Sequence, residues 1–154
     1  MSTTAANAVR KTVEVAVPPE RAWRVFTEQM GSWWPLATHS IGVEDGTPPD
    51  GIVVEGHVGG VIYETLGDDR RTWGTIVEWE PPARLSVEWT VNARAATRWT
   101  ATFTKTATGT RVDLVHAGFE AHGERADEVR GSYGAEGGWA NVLARFAAAA
   151  SPVG

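Results

Sequence analysis

Apolar and polar positions alternate along most of this chain with the period of two that marks half-buried strands. Val9, Lys11, Val13, Val15 and Val17 share one face of a first run, with Arg10, Thr12, Glu14 and Ala16 on the other. Pro18-Pro19 ends that run. Proline is well tolerated in a first helical turn, and Glu20 suits the positive helix end. Ala22, Val25, Phe26 and Met30 then follow helical spacing, with Trp23 flanking them, and Gly31 stops the helix. Ser32-Trp33-Trp34-Pro35 reads as a turn or a second short helix, and residues 42–51, rich in acids, glycine and proline, read as a loop.

Beyond Gly51 the pattern predicts strands and turns. Ile52 to Glu55 and Val61 to Leu66 flank Gly59-Gly60, a hairpin signal. Further strands run over Arg71 to Glu80, Arg84 to Thr90, Thr97 to Lys105 and Thr110 to Ala117, separated by Pro81-Pro82, a loop at 92–96 and Thr108-Gly109. Glycines make 118–138 a loop or irregular helix. Trp139, Val142, Leu143, Phe146, Ala147 and Ala150 then fall on one face of an amphipathic C-terminal helix, with Pro152 just beyond it.

An antiparallel sheet with one apolar face needs a cover, and the C-terminal helix supplies it. The alternation puts Tyr63, Trp73, Val77, Trp89, Trp99, Phe103, Leu114 and His116 on the inner face. Trp33 and Trp34 are expected near the mouth of a cavity between sheet and helix, one anchoring its turn and the other acting as a gate, with Trp139 closing the cavity from the helix. The chain carries eight tryptophans, and indoles combine broad apolar contact with an N–H donor. Aromatic lining with few polar groups suits a small-molecule pocket. The same pattern also describes a filled core with no cavity. Trp79 falls outside the candidate site, because a bulge beside Pro81-Pro82 would flip its face.

Composition narrows the classes. At 154 residues the chain is read as one domain over 9–150, with a disordered tail at 1–8 and a short tail at 151–154. Without cysteine there is no disulfide, thiolate metal site or cysteine nucleophile, which fits a reducing, cytoplasmic setting. The N-terminus lacks a signal-peptide core and no apolar run reaches the length of a membrane span. A net charge of −5 with scattered arginines gives no nucleic-acid surface. His39, His57, His116 and His122 lack metal-ligand spacing, so neither a metal nor a cofactor is expected. His116 follows Val112 and Leu114 inward, to orient a ligand carbonyl, to act as general acid or base, or to sit as a satisfied core residue. Glu55, Glu64, Glu78 and Glu88 are expected on the solvated outer face, paired with residues such as Arg98. No Ser-His-Asp order, nucleophile elbow or phosphate loop is present, so no catalytic residue is assigned.

The run from Val13 to Trp23, Val-Glu-Val-Ala-Val-Pro-Pro-Glu-Arg-Ala-Trp, resembles the opening of the SRPBCC (START/Bet v 1-like) superfamily. Trp33-Trp34-Pro35, Gly59-Gly60 before Tyr63-Glu64, Trp73-Gly74-Thr75-Ile76, Trp79-Glu80-Pro81-Pro82-Ala83-Arg84-Leu85 and Gly138-Trp139 resemble its branch related to the activator of Hsp90 ATPase C-terminal domain. The resemblance implies an α+β helix-grip fold: a curved seven-stranded antiparallel sheet around a long C-terminal helix, with two short helices after the first strand. It also implies a cavity for a hydrophobic ligand, but no single reaction. Three readings follow. The residues favour binding of a small hydrophobic or aromatic ligand over chemistry. A polyketide cyclase, dehydratase or hydrolase would rest on His116 and Tyr63 facing one cavity. A chaperone-interaction module, like the Hsp90-activator relatives, would need a partner surface instead; a chaperone partner and a homodimer both stay open.

Overall fold

A computed structural model describes residues 8–34, 49–90, 96–119, 123–124, 126–134 and 136–150. The expected tails at 1–8 (save Ala8) and 151–154, most of the loops at 42–51 and 92–96, and Pro35, His39 and His122 lie outside the described residues.

Strand β1 (Val9–Val15) leads through Pro18 into helix α1 (Pro19–Thr27) and the single turn α2 (Met30–Trp33). Strands β2 (Gly51–Val54), β3 (Val61–Leu66), β4 (Asp69–Glu80), β5 (Arg84–Trp89), β6 (Thr97–Lys105) and β7 (Thr110–Ala117) follow. The chain then forms α3 (Ala126–Gly134), a kinked helical segment (Glu136–Ala140) and α4 (Asn141–Ala149). Helical geometry breaks at Gly138 (φ −86°, ψ −128°), just before Trp139, where the C-terminal helix was expected to begin. The irregular stretch predicted before it contains α3, whose sequence Ala-Asp-Glu-Val-Arg-Gly-Ser-Tyr-Gly has no regular apolar stripe to announce it.

All seven strands form one antiparallel sheet in the order β1-β7-β6-β5-β4-β3-β2. Neighbours along β2 to β7 are consecutive in sequence, as short turns require; Gly59, with φ of 88°, supplies one of them between β2 and β3. Only β1 pairs at long range, setting Val13 opposite Val112 and Val9 opposite His116. On the concave side α1 packs against β6, while α4 packs against α2 and β1. Ala22, Phe26, Leu85, Val87, Trp99, Ala101, Leu114 and Phe146 have no exposed surface and form the centre of the core.

Two irregularities in β4 decide which side chains face that core. Gly74 pairs with Ile62, but Thr72 pairs with Tyr63, so Trp73 is an extra residue. Ile76 pairs with Val87 and Glu78 with Ser86, so Val77 is a second. A bulge residue breaks the two-residue alternation. Gly74 marks the first bulge: a side chain there would meet the Glu88 carbonyl at 2.5 Å and the Val87 side chain at 2.7 Å.

Two expectations are corrected by this register, and Trp79, left out of the candidate site, keeps its inward face. Tyr63 lies on the outer face, paired with Val53 and Thr72, and is covered by the Arg70 guanidinium 4.5 Å from its ring centroid. Val77 is half-buried at its bulge, and Ile76 takes the inward position. Trp79, paired with Leu85, does face the core; its ring meets Trp23 at 5.0 Å.

On the outer face Glu78 accepts hydrogen bonds from the Ser86 hydroxyl at 2.8 Å and from Arg84 Nε at 3.2 Å, and Ser86 also meets the Thr100 hydroxyl at 2.8 Å. The Ser86 bond, and with it Arg84 and the charge of Arg98, hold the Glu78 carboxyl below the usual carboxylate value against the opposing effect of burial. A carboxyl so lowered adds stability above its unfolded value of about 4.3 and loses that contribution as pH falls through the folded value. Glu78→Gln is therefore expected to cost a few tenths of a kcal/mol (about 0.2–1) at neutral pH and less in acid, because this pair is half in water. Urea midpoints of parent and variant should converge as the pH falls below about 4; a gap that stays constant would exclude this role.

Candidate functional site

Five indoles make a continuous row between the sheet and the helices. Trp34, at the end of α2, has its ring 5.0 Å from Trp73, 6.2 Å from Trp89 and 5.9 Å from Trp139. Trp89 lies 5.7 Å from Trp73 and 5.8 Å from Trp99, and Trp99 lies 5.5 Å from Trp139. Most of these rings meet edge to face or tilted, the arrangements that the aromatic quadrupole favours. Strands β4, β5 and β6 set Trp73, Trp89 and Trp99 side by side, while the helical side lowers Trp34 and Trp139 onto them.

Trp33 turns the other way. Its indole N–H donates to the Val25 carbonyl at 2.7 Å, and its own carbonyl accepts from Arg145 Nε at 2.9 Å. Its ring touches Phe26 and Phe146. Both indoles of the pair are buried, 3% and 7% exposed, so neither hangs over a mouth as a gate. Phe103 also stands apart from the row, against Trp23 and Phe26. Leu114 is fully buried on β7.

At the β7 end of the row, His116 has no exposed surface. Trp139 Nε1–H donates to His116 Nδ1 at 2.9 Å, and His116 Nε2 lies 2.7 Å from the Thr97 hydroxyl. An indole nitrogen only donates, so Nδ1 must be the accepting nitrogen. The neutral ring then carries its proton on Nε2, directed at Thr97. An imidazolium would have to give up the bond from Trp139. Thr97→Val keeps the volume and removes the hydroxyl, and is expected to cost about 1–3 kcal/mol for the polar hydrogen left buried without its partner. A melting temperature equal to the parent's would show that His116 takes its order from elsewhere.

Residues 16–151 match the family described as activator of Hsp90 ATPase homolog 1-like protein. The chain belongs to that family. Its solved relatives share the fold. The Txn09 structure, an anthrahydroquino-γ-pyrone synthase complexed with SUM, is 33% identical, with 92% of this chain and 95% of that one aligned at a TM-score of 0.61. Protein MLL2253 from Mesorhizobium loti (18% identity, 92% and 94% coverage, TM-score 0.64) and a protein from Aeromonas hydrophila of the same activator-like family (18%, 92% and 90%, 0.61) show the fold alone. No curated protein matches the chain. The curled seven-stranded sheet with its C-terminal helix is the helix-grip arrangement that the sequence resemblance implied.

Within this activator-like domain, three inward groups escape a reading by alternation. Glu64, expected in solvent, has no exposed surface and accepts the Trp73 indole N–H; β3 turns it inward opposite Ile52, on the face that Tyr63 was expected to hold. Tyr133 of α3 accepts the Trp89 indole N–H at 3.0 Å, with its ring 4.5 Å from His116. Phe119 lies 4.6 Å from the same imidazole and 5.8 Å from the Tyr133 ring. Two of these groups lie on segments with no clear period, and the third follows a bulge. Glu64 on β3 and His116 on β7 are four strand spacings apart, roughly 19 Å along the sheet, and each is bound to a different indole. His116 and Tyr133 are the ionisable pair that shares one place. His57, by contrast, is exposed near the β2–β3 turn. Among the described residues no cluster of histidine and acid side chains could hold a metal ion, and no helix is long and apolar enough to cross a membrane.

Proposed function

We propose that this domain binds a flat, polycyclic aromatic molecule of the polyketide kind in the layer between the sheet and the C-terminal helices. The observation that carries this reading is the unbroken row of indoles from Trp73 through Trp89 and Trp99 to Trp139, roofed by Trp34. A flat ligand entering the row exchanges indole–indole contacts for indole–ligand contacts of the same kind, each worth about 0.5–1.5 kcal/mol beyond area burial. Entry therefore costs little packing enthalpy while removing the ligand from water. The break at Gly138 supports the reading as well, because it redirects the chain just before Trp139, whose ring meets Trp99 and Trp34. So does the 33% identity to a protein that acts as an anthrahydroquino-γ-pyrone synthase. The test is a panel of polycyclic aromatics and quinones, followed by indole fluorescence and melting temperature. Saturable quenching with a raised melting temperature is expected. A panel that moves neither would end this reading.

A second reading, cyclase-type catalysis on the same ligand, is favoured by the His116–Tyr133 pair beside the row. The neutral imidazole, held in one tautomer by Trp139 and Thr97, is arranged to pass a proton once a ligand displaces one of those bonds. Incubation with an anthrahydroquinone-type polyketide, followed by mass spectrometry, separates the two. Turnover that His116→Phe abolishes while binding persists would establish catalysis; binding without turnover leaves a carrier or receptor.

A further inference from the structure

Four indoles in and beside the row place their N–H groups on a buried or half-buried acceptor. Trp73 donates to Glu64, Trp89 to Tyr133, Trp139 to His116, and Trp33 to the Val25 carbonyl. Trp99 Nε1 is the one buried side-chain polar atom that has no hydrogen-bond partner among the described residues. Its side chain has no exposed surface, so water does not serve it from outside. An indole nitrogen donates and cannot accept, and a buried donor left unpaired loses the hydration it had in the unfolded chain. Its position adds to the oddity: Trp99 packs edge-on, at 66°, against both Trp89 and Trp139, which also meet one another at 6.5 Å. An unpaired donor buried against two indoles whose own N–H groups are bonded is suited to an acceptor that arrives with the ligand.

Resting on the reading that the row takes a flat polycyclic ligand, we infer that Trp99 Nε1–H is the specificity-determining donor for a ring-carbonyl oxygen, so that the site selects quinone-type polycycles over bare hydrocarbons of the same shape. Three polar groups beside the row each already hold an indole: Glu64 holds Trp73, Tyr133 holds Trp89, and His116 holds Trp139. A carbonyl placed at Trp99 therefore gains a bond without breaking one. A hydrocarbon at the same place leaves the donor as unpaired as before. The competing account is that the N–H rests on the π face of a neighbouring indole, a weak contact that needs no ligand.

The experiment uses the full chain and two probes, 9,10-anthraquinone and anthracene, which share a ring skeleton and differ in two carbonyl oxygens. Dissociation constants are read from indole fluorescence. The parent is expected to favour the quinone by about tenfold, the size of one buried hydrogen bond. Trp99→Phe keeps an aromatic ring and removes the donor; its preference is expected to fall to about onefold, through weaker quinone binding with anthracene little changed. Should the variant fail to fold, the parent's own indole 1H–15N spectrum decides. The Trp99 N–H resonance, assigned through its contacts with Trp89 and Trp139, is expected to move downfield with anthraquinone and not with anthracene. No preference in the parent, an undiminished preference in Trp99→Phe, or equal shifts with both probes overturns the inference while leaving the site's reading intact. If neither probe binds the parent, that reading fails and the inference falls with it.

Discussion

Replacing Phe146 with alanine is expected to lower the unfolding free energy by about 3–5 kcal/mol. Phe146 has no exposed surface, and its ring meets Phe26 at 5.2 Å and Trp33 at 5.4 Å. These three rings join α4, α1 and α2, the elements that cover the concave side of the sheet. Alanine removes the whole ring, and the void is bounded by side chains that are held from elsewhere. Trp33 is tied to the Val25 carbonyl, and Phe26 is wedged against Trp99 and Phe103. Neither can swing into the gap without giving up other contacts, so collapse offsets little of the cavity term. Denaturant midpoints with an unchanged slope would measure the loss. A midpoint near the parent's would mean that the helix does not carry its load at this face.

Much of this arrangement was legible from spacing alone. Val142, Leu143, Phe146 and Ala150 are buried on one side of α4 as their intervals require, and β5, β6 and β7 alternate without a fault from Leu85 to His116. The alternation failed in β3 and β4, where the period of two is interrupted. Counting by two from Trp73 through β4 selects Thr75, Val77 and Trp79; the bulges at Trp73 and Val77 put Ile76 inward in place of Thr75 and Val77, and the second restores the parity at Trp79. The signal was in the sequence as Gly74, since a glycine inside a strand pattern marks a bulge or a close backbone approach. Its effect on β3 was not, because the bulge shifts the partner strand's pairing, and with it the faces of Tyr63 and Glu64. Tyr133 was invisible for a different reason. It docks from α3, whose period carries no information about where the helix lands, and only tertiary packing sets its hydroxyl against Trp89. The pairing of β1 with β7 is likewise a long-range choice that no local pattern encodes; it was available only through the family resemblance.

The neighbouring indoles Trp33 and Trp34 divide structure from recognition between adjacent positions. Trp33→Ala is expected to cost about 3–5 kcal/mol, since it deletes the ring against Phe26 and Phe146 and removes a buried donor from the Val25 carbonyl. Trp34 is also buried, so Trp34→Ala is expected to destabilise as well. What separates the two is what each ring touches. Trp34 contacts Trp73, Trp89 and Trp139, three members of the row, whereas Trp33 contacts just one ring of that row, Trp34 itself, at 5.9 Å. If a flat ligand lies in the row, Trp34 forms one of its faces, and its loss should weaken binding of 9,10-anthraquinone about three- to tenfold, the worth of one aromatic pair. Trp33→Ala, corrected for its folded fraction, should bind with the parent's affinity. Melting curves and fluorescence titrations on the two single variants measure both quantities. Similar stability losses with unchanged affinity in both would make Trp34 plain packing, and would take from the row the helix-side wall on which its recognition of flat ligands depends.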